Sequence, residues 1–500
     1  STSAASAAND TVDEDGKVNG IMYQEGLPLV DEGAYTFSIF CDDSSESGEF
    51  IMLDEFKKQT NVDVDLKIYP YETATERLNL DLNSGDYADV IGGWTLSDNA
   101  ILTYGVNQGV FIPLEDYFEK YCPNISAILD LPGVREKMTA PDGHIYTIPY
   151  VCADSTVGYS PYINTKWLEN VGMSMPTTTD EFEAVLKAFK EQDANGNGDA
   201  SDEIPFSTDP NNKHIEAMAG YFGLPMNKLG IAIQNEKVVY GGVSDTYREF
   251  LSWFHKLYAE GLVDVELYTQ DSSTWEGKGN QDLYGVSIAY GSGEFTGIPA
   301  AEERGDFDSM PVLNTDKDGI WLRDTEGFSV YRTQAVITNK AEHPEIICRW
   351  FDNAFALENG IGCNRGPVGV IVNKEDDGYH AIDTTTLSEE DQEKYSWGNL
   401  WPQSLPKYLP ADFEFVEEHP MYDEKKATEE AYEANLTKEI IPSYWIDLDK
   451  IDTFSDTNTA IKDFFEQQQA QFVCGELDID NDADWQAYVD GMYSLGLEDW

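Results

Sequence analysis

Oxygen-bearing side chains alternate with glycines directly after a predicted helix, over residues 193–203. Ca²⁺ prefers about six to eight oxygen ligands, and a tight loop supplies them from side chains at its first, third and fifth positions and from a carbonyl at its seventh. The glycines permit the sharp turns that such a loop needs. The sequence therefore predicts a structural calcium site formed by Asp193, Asn195, Asn197, Asp199 (through its carbonyl), Asp202 and Glu203.

The end of this loop departs from the EF-hand pattern. An EF-hand has a bidentate glutamate at its twelfth position, whereas that position here is Ile204 and the acids are Asp202 and Glu203. The sequence leaves open which of the two acids contacts the ion. A turn rich in Asn, Asp and Gly without a metal is the alternative. A bound ion is expected to brace a helix-to-strand connection and to take no part in chemistry.

Motifs that would predict catalysis are absent from the sequence. The six histidines form no HExxH or other metal-ligand spacing, and neither a GxSxG elbow nor a Walker loop occurs. With 93 acidic residues, some pair of carboxylates always resembles a glycosidase dyad, so acid content does not support that activity. The sequence favours a binding protein, and a secreted glycoside-acting enzyme is the remote alternative.

Strand and helix patterns alternate along the first part of the chain. Apolar and polar residues alternate around 35–39 and 62–68, with a helical pattern between them. A second helical pattern over 73–82 leads to an apolar strand at 89–91. This order predicts a mainly parallel α/β sheet, whose carboxyl-terminal edge is the expected ligand-binding edge. Trp94 follows one such strand, either as a stacking platform or as a packing residue.

Length and composition narrow the class of protein. The 500 residues exceed the roughly 250 to 300 that one hydrophobic core supports, so two lobes are expected. The formal charge of −61 argues against nucleic acid as a partner, because the negative field repels phosphate. No apolar run reaches the length of a membrane span. The six scattered cysteines include no CxxC pair, which favours free buried thiols and leaves disulfides open.

Several segments together resemble the family 1 extracellular solute-binding proteins, specifically the long lipoprotein type common in Gram-positive bacteria. The likeness covers nearly the whole chain from about residue 35, through stretches such as LDEFKKQTNVDVDL, SGDYADVIGGW, PDGHIYTIPY and HPEIICRWFD. The most specific stretch runs from KWLENVG to DEIPFS. In the family, a helix of the second lobe leads there into a loop that binds calcium in some members.

The resemblance implies an α/β fold of the two-lobed periplasmic-binding-protein kind (type II), without catalytic activity. Lobe 1 is expected to comprise residues 33–150 and 332–364, and lobe 2 residues 153–327 and 367–500, after a flexible linker over 1–32. The hinge crossings would lie near 150–154, 327–334 and 364–369. In this family the lobes close on a ligand, and an ABC importer recognises the closed form.

Sugar receptors stack aromatic rings on pyranose faces and bind hydroxyls with carboxylates, amides and arginine. An oligosaccharide is therefore the expected ligand, with a peptide or another solute as the alternative. The predicted ligand-binding residues are aromatic side chains and polar groups at strand ends and crossings: Asp42, Asp43, Trp94, Asp154, Trp275, Tyr290, Trp321, Asn364, Arg365, Trp397 and Trp401.

The resemblance also implies a location and partners. A lipidated cysteine immediately before Ser1 would tether the receptor to the outer face of the cell membrane. The permease subunits of an ABC importer are the expected protein partners, and the receptor itself is expected to be a monomer.

Overall fold

The structure, a computed structural model, describes residues 10–43, 49–209, 215–297, 305–410, 413, 415–416, 420–441 and 443–500. The chain divides into two compact units. Unit 1 comprises Ser1–Ala153, Phe328–Glu417 and Ser443–Ile451. Unit 2 comprises Asp154–Gly327, Glu418–Pro442 and Asp452–Trp500.

Strands and helices alternate along most of the chain. The strands are β1 (Lys17–Val18), β2 (Met22–Tyr23), β3 (Tyr35–Asp42), β4 (Val62–Tyr69), β5 (Val90–Gly92), β6 (Thr147–Ala153), β7 (Ser160–Asn164), β8 (Ile204–Thr208), β9 (Ile231–Gln234), β10 (Lys237–Tyr240), β11 (Tyr284–Ala289), β12 (Phe307–Ser309), β13 (Phe328–Ile337), β14 (Val372–Glu375) and β15 (Gly378–Ala381).

The α-helices are α1 (Ile51–Thr60), α2 (Tyr71–Ser84), α3 (Asp98–Ala100), α4 (Glu115–Tyr121), α5 (Pro123–Leu129), α6 (Val134–Met138), α7 (Thr165–Val171), α8 (Thr179–Glu191), α9 (Asp245–Ala259), α10 (Ser272–Asn280), α11 (Gly293–Thr296), α12 (Pro344–Ala354), α13 (Leu357–Arg365), α14 (Glu389–Lys394), α15 (Pro420–Tyr432), α16 (Ile451–Cys474) and α17 (Asp482–Ser494). A π-helix spans Ile101–Asn107, and 3₁₀ turns span Ile215–Phe222, Thr384–Thr386, Trp397–Asn399 and Glu433–Asn435.

The sheet of unit 1 has the order β4-β3-β5-β13-β6. The first three strands are parallel, as the alternation of strands and helices predicts, whereas β13 runs antiparallel to both β5 and β6. Aromatic residues fill the space between this sheet and its helices. Phe37 of β3 meets the edge of Trp350 at 5.3 Å between ring centroids, and Phe56 of α1 packs on the same indole at 5.5 Å.

Residues 10–32 pack against unit 1 and differ from the flexible linker predicted over 1–32. β1 and β2 form an antiparallel hairpin. Val18, Met22 and Leu29 are buried in the unit 1 core, and the Leu29 amide donates to the Thr60 carbonyl at 3.0 Å. These apolar side chains draw the segment onto the domain because leaving them in water would cost free energy. Residues 1–9 of the predicted linker lie outside the described residues.

The third crossing differs most from its predicted position. The unit boundaries after Ala153 and after Gly327 lie in the predicted ranges, but the chain stays in unit 1 until Glu417 and returns to it over Ser443–Ile451. Trp401 and Leu405 are buried in the unit 1 core, which holds this stretch in place. Among the described residues of this stretch, Ile371, Val372 and Leu400 are also buried.

The sheet of unit 2 has the order β12-β7-β11-β8 and is also mixed. β11 runs parallel to β8 and antiparallel to β7. Thr178 caps helix α8 by accepting a hydrogen bond from the Glu181 amide with its side chain, and the buried face of α8 packs into the core of this unit. Helices α9, α16 and α17 contribute further side chains to the same core.

No disulfide joins any of the six cysteines in this structure. Cys41, Cys122, Cys348 and Cys363 are buried, Cys152 is half-buried and Cys474 is exposed. Among the described residues, no helix has both the length and the apolar character needed to cross a membrane.

Trp401→Ala should lower the free energy of unfolding by about 3 to 5 kcal/mol, because it leaves a cavity beside Trp350 and Phe56. Denaturant unfolding followed by fluorescence measures this loss. Trp397→Ala is the matched control: the same exchange four residues away removes a side chain that is 57% exposed, so it should cost less than about 1 kcal/mol. Equal losses would contradict the assignment of Trp401 to the core.

Candidate functional site

An open cleft of about 510 Å³ lies on unit 1 where three parallel strands end. It is lined by Asp42, Tyr71, Thr75, Trp94 and Thr95. Asp42 ends β3, Tyr71 and Thr75 belong to the helix after β4, and Trp94 and Thr95 follow β5. Ligands of open α/β sheets bind beyond the carboxyl ends of the strands, so the cleft occupies the edge that the sequence predicts.

The Asp42 carboxylate fixes the loop that carries Trp94. Its Oδ1 accepts a hydrogen bond from the Trp94 amide at 2.9 Å, and its Oδ2 accepts one from the Thr95 amide at 2.6 Å. Gly93 has a φ of +136°, and a Cβ there would collide with the carboxylate. Burial raises the pKa of Asp42, and the two amides oppose that shift. Asp42 is 0% exposed, so its carboxylate positions the loop and does not meet solvent itself.

Three aromatic rings form a continuous group beside this loop. Trp94, which is 46% exposed, meets the ring of Tyr331 edge-on at 5.2 Å, and Tyr331 stacks on Tyr150 at 5.6 Å. The two tyrosines lie opposite each other on β13 and β6. Neither was among the predicted ligand residues, although both lie in the predicted hinge crossings over 150–154 and 327–334. Together the rings offer apolar faces of the kind that sugars stack on.

Lys407 lies beneath this aromatic group and is 1% exposed. Its Nζ is 5.5 Å from the centroid of Tyr150 and 5.6 Å from that of Trp397, and it donates to Oε1 of Gln403 at 2.6 Å. Burial lowers the pKa of Lys407 to about 8. Asp43, predicted to bind ligand, is buried and accepts a hydrogen bond from the Gln403 amide at 2.7 Å. Asp43 therefore anchors the loop that carries Lys407.

Unit 2 brings two of the predicted residues together, Asp154 and Tyr290. The Tyr290 hydroxyl donates to Oδ1 of Asp154 at 3.1 Å, and the same oxygen accepts from the Ser155 amide at 2.9 Å. Tyr290 follows β11, and the ring of Tyr159 meets it edge-on at 6.1 Å. Both rings are half-buried. These side chains form a second aromatic and acidic surface at a strand end.

The remaining predicted ligand residues have structural contacts. Trp275, Trp321 and Trp401 are at most 3% exposed. The Trp275 indole donates to Ser287 Oγ at 3.1 Å, and Trp321 meets Tyr432 edge-on at 5.4 Å. A ring buried to this extent has no exposed face for a ligand. These three tryptophans are therefore no longer proposed as stacking platforms. The sequence could not separate them from Trp94 and Trp397 because burial depends on distant segments.

Asn364 and Arg365, at the predicted third crossing, lie inside unit 1. The Asn364 side chain donates to the Gly360 carbonyl one turn earlier in α13, at 2.8 Å. Burial lowers the pKa of Arg365, and Tyr150 opposes that shift. Both are half-buried. Their contacts give Asn364 a role within its helix and place Arg365 near the aromatic group.

The predicted calcium loop is closed by its own side chains. The amide groups of Asn195 and Asn197 donate to the two oxygens of Asp202, at 3.2 Å and 2.7 Å. Gly196 and Gly198 have φ values of +75° and +96°, a region that side chains rarely adopt. Backbone amides reach the loop carboxylates as well: Gly198 N donates to Asp193 Oδ2 at 2.9 Å.

Two carboxylate oxygens in this loop are buried without a hydrogen-bond partner, Asp193 Oδ1 and Glu203 Oε2. The other oxygen of Glu203 accepts from the Ala194 amide at 2.8 Å. Burial raises the pKa of Glu203, with Asp202 adding to the shift. A buried carboxylate oxygen without a donor costs free energy that a cation would recover. The donor set therefore fits a hard cation, and it favours Glu203 over Asp202 as a direct ligand.

A family model described as bacterial extracellular solute-binding protein matches residues 44–360. The chain belongs to this family. The fructooligosaccharide ABC transporter substrate-binding protein FusA of Streptococcus pneumoniae serotype 4 is 32% identical over 379 residues, which are 73% of this chain and 68% of FusA. Lipoprotein LipO of Bacillus subtilis is 28% identical over 280 residues, which are 54% of this chain and 52% of LipO.

Two solved structures of FusA share the fold. FusA in complex with kestose has a TM-score of 0.81 and 26% identity, over 93% of this chain and 96% of FusA. A FusA EF-hand mutant in complex with fructo-nystose has a TM-score of 0.79 and 27% identity, over the same shares of the two chains. The predicted family and the α/β periplasmic-binding-protein fold are confirmed. This solute-binding protein is a receptor and not an enzyme.

Lys407→Met should change how stability depends on pH in this solute-binding protein. The folded chain releases the Lys407 proton near pH 8, while the unfolded chain holds it to about 10.5. The contribution of Lys407 to the free energy of unfolding therefore rises with pH. Between pH 7 and pH 9 the free energy of unfolding of wild type should increase by about 1 kcal/mol relative to that of the variant. Denaturant unfolding at both pH values tests this. The control is Lys394→Met, at an exposed lysine: the free energy of unfolding of wild type should not increase relative to this variant. An increase of equal size would refute the role of burial.

Proposed function

We propose that this solute-binding protein captures a fructose-containing oligosaccharide for an ABC importer. The observation that carries the proposal is exposed Trp94, which lines the cleft of unit 1 and is continuous with the rings of Tyr331 and Tyr150. Sugars present apolar C–H faces, and these aromatic rings offer faces that suit them. The likeness to FusA, named for fructooligosaccharides, supports the choice among sugars.

The acidic character of both surfaces also favours a neutral ligand. Asp42 lines the cleft of unit 1, and Asp154 stands beside Tyr290 in unit 2. An anionic ligand would be repelled by these carboxylates and by the net charge of −61, whereas a neutral ligand would not. A neutral oligosaccharide therefore fits these surfaces better than a sugar acid does.

Calorimetric titration with kestose, fructo-nystose, a galacturonate oligosaccharide and a short peptide tests the proposed ligand. Micromolar binding of the fructose-containing sugars without their hydrolysis is expected. Binding of the peptide alone would replace the proposal with a peptide receptor of the same fold. Release of reducing ends from a sugar would instead identify an enzyme.

Trp94→Ala should weaken kestose binding about tenfold or more, since it removes an exposed stacking face worth roughly 1.4 kcal/mol. The melting temperature should change little, because this indole is half outside the fold. Tyr493→Ala, which removes a ring that is 48% exposed on α17, is the matched control and should leave affinity unchanged. Unchanged affinity in Trp94→Ala would remove the unit 1 cleft from the binding site.

The loop over 193–203 is proposed to bind Ca²⁺. Asp193 and Glu203 would contribute their unpartnered buried oxygens, Asn195 and Asn197 their amide oxygens and Asp199 its carbonyl. Asp202 would orient the two amides through the hydrogen bonds it accepts from them. The ion would supply positive charge that joins the end of α8 to the start of β8. The FusA EF-hand mutant shows that a relative has a loop of this kind.

Calcium should raise the melting temperature of the wild-type protein, by an amount corresponding to about 2.7 kcal/mol at a hundredfold excess over Kd. Glu203→Gln should lose most of this increase, because it removes a charged ligand. Asp202→Asn should keep a larger part of the calcium-induced rise in melting temperature, because Asp202 is proposed to orient the two asparagine amides and not to contact the ion. Thermal unfolding in calcium and in chelator gives the melting temperatures of the wild type and of both variants. A calcium response that is the same in wild type and Glu203→Gln would exclude Glu203 as a ligand.

The family places the receptor outside the cytoplasm. The likeness to lipoprotein LipO supports an N-terminal lipid anchor, as the family resemblance implies. The permease subunits of an ABC importer are the proposed partners, since FusA is named as part of an ABC transporter. A monomer remains the proposed state of the receptor.

A further inference from the structure

A lysine is buried inside unit 2, on helix α15. Lys425 is 8% exposed, and its Nζ donates to the carbonyls of Val157 and Gly158 at 2.9 Å and 2.6 Å. A buried ammonium group is costly unless it is surrounded by acceptors and opposite charges. The residues around Lys425 therefore have to offset the cost of burying its charge. Their positions depend on the lysine in return.

Four carboxylates face this ammonium group from three segments: Glu294 from α11, Glu424 and Glu429 from α15, and Asp324 from the chain before β13. Each also accepts hydrogen bonds from a nearby loop. Glu294 accepts from the Tyr290 amide at 2.9 Å, and Glu424 accepts from the Ser292 amide at 2.9 Å. The loop over 290–294 is thereby held to the charges around the lysine.

The other two carboxylates hold the loop over 155–158. Glu429 accepts from the Ser155 hydroxyl at 2.9 Å and from the Thr156 amide at 2.8 Å. Asp324 accepts from the Gly158 amide at 2.7 Å. More distant carboxylates are Asp154 next to Asp324, Asp209 next to Glu294 and Asp308 next to Glu424. Two loops, over 155–158 and 290–294, are thus hydrogen-bonded to the carboxylates that surround Lys425.

The ammonium group also contacts an aromatic ring directly. Nζ of Lys425 lies 3.9 Å from the centroid of Tyr290, a distance at which a cation is attracted to a ring face. The Tyr290 hydroxyl donates to Asp154, and its ring forms a T-shaped pair with that of Tyr159. The face contact with Lys425, the hydroxyl bond and the Tyr159 contact together restrict the rotation of this ring.

We propose that Lys425 is a positioning residue that holds the Tyr290 ring and the loop over 155–158 as the oligosaccharide-binding surface of unit 2. The proposal rests on the proposed function and adds a residue to it that does not touch the sugar. A preformed surface pays less ordering entropy on binding, so its affinity depends on the group that preforms it. A methionine of similar length would keep the packing but remove the charge and its three donors.

The protonated state of Lys425 is the one that makes these contacts. Burial lowers the pKa of Lys425 to about 8, and the surrounding carboxylates, Glu294 first, oppose that shift. Above pH 8 the neutral amine donates fewer hydrogen bonds and loses its attraction to the ring. Affinity that depends on Lys425 should therefore fall as pH rises through about 8.

Lys425→Met, measured by calorimetry with kestose at pH 7, tests the proposal. The dissociation constant should rise about tenfold, while Lys426→Met, its exposed neighbour on the same helix, should leave it unchanged. In a Tyr290→Ala background the Lys425→Met exchange should have little further effect, because both remove the same positioned ring. Additive effects of the two exchanges would overturn the proposal, since they would show that Lys425 acts through overall stability.

The same titrations at pH 7 and pH 9 supply a second readout. The ratio of dissociation constants between Lys425→Met and wild type should shrink towards one at pH 9, because the wild-type lysine has lost its proton there. Lys407 is present in both proteins, so its titration cancels in the ratio. A ratio that stays tenfold at both pH values would overturn the proposal.

Failure of the inference and failure of the proposed function have different signatures. If Lys425→Met binds kestose with wild-type affinity and only its melting temperature falls, the positioning role is refuted. The proposed receptor function would then still stand. Absence of binding by wild type to every oligosaccharide of the panel would refute the proposed function, and the inference would fail with it.

Discussion

The close approach of one backbone segment to one carboxylate determines the shape of the unit 1 cleft. Asp42 ends a buried strand, and the loop after the neighbouring strand folds over it so that two consecutive amides donate to its oxygens. This approach requires the glycine at position 93, where a side chain would occupy the space of the carboxylate. Trp94 directly follows this glycine, and with its amide held by Asp42 its indole is 46% exposed.

Both units use buried charged groups to hold the loops at their strand ends. In unit 1, Asp42 and Asp43 accept backbone hydrogen bonds from two different loops, and Lys407 lies under the rings of Tyr150 and Trp397. In unit 2, Lys425 and its carboxylates hold the loops that carry Asp154 and Tyr290. Hydrogen bonds to charged groups are roughly twice as strong as neutral ones. Loops fixed in this way present aromatic faces in one orientation, which reduces the entropy lost when a ligand binds.

The loop over 193–203, the proposed calcium site, illustrates a site that local sequence largely specifies. Its ligand candidates lie within eleven consecutive residues, and glycines with positive φ separate them, so the chain bends into the required shape without help from distant segments. The remaining ambiguity concerned Asp202 and Glu203. It is reduced by two observations of tertiary structure: Asp202 accepts from both asparagine amides, and an oxygen of Glu203 is buried without a partner.

The sequence by itself determined the alternation of strands and helices in the first part of the chain, the family and the strand-end location of the cleft. The spacing of Phe182, Val185, Leu186 and Phe189 predicts the buried face of α8, because helical periodicity is a local property. Which aromatic residues face solvent was decided only by tertiary structure. Trp397 and Trp401 lie four residues apart in one loop, yet one is exposed and the other stacks on Trp350 from a distant helix. Burial of that kind depends on contacts between remote segments, and no local pattern records it.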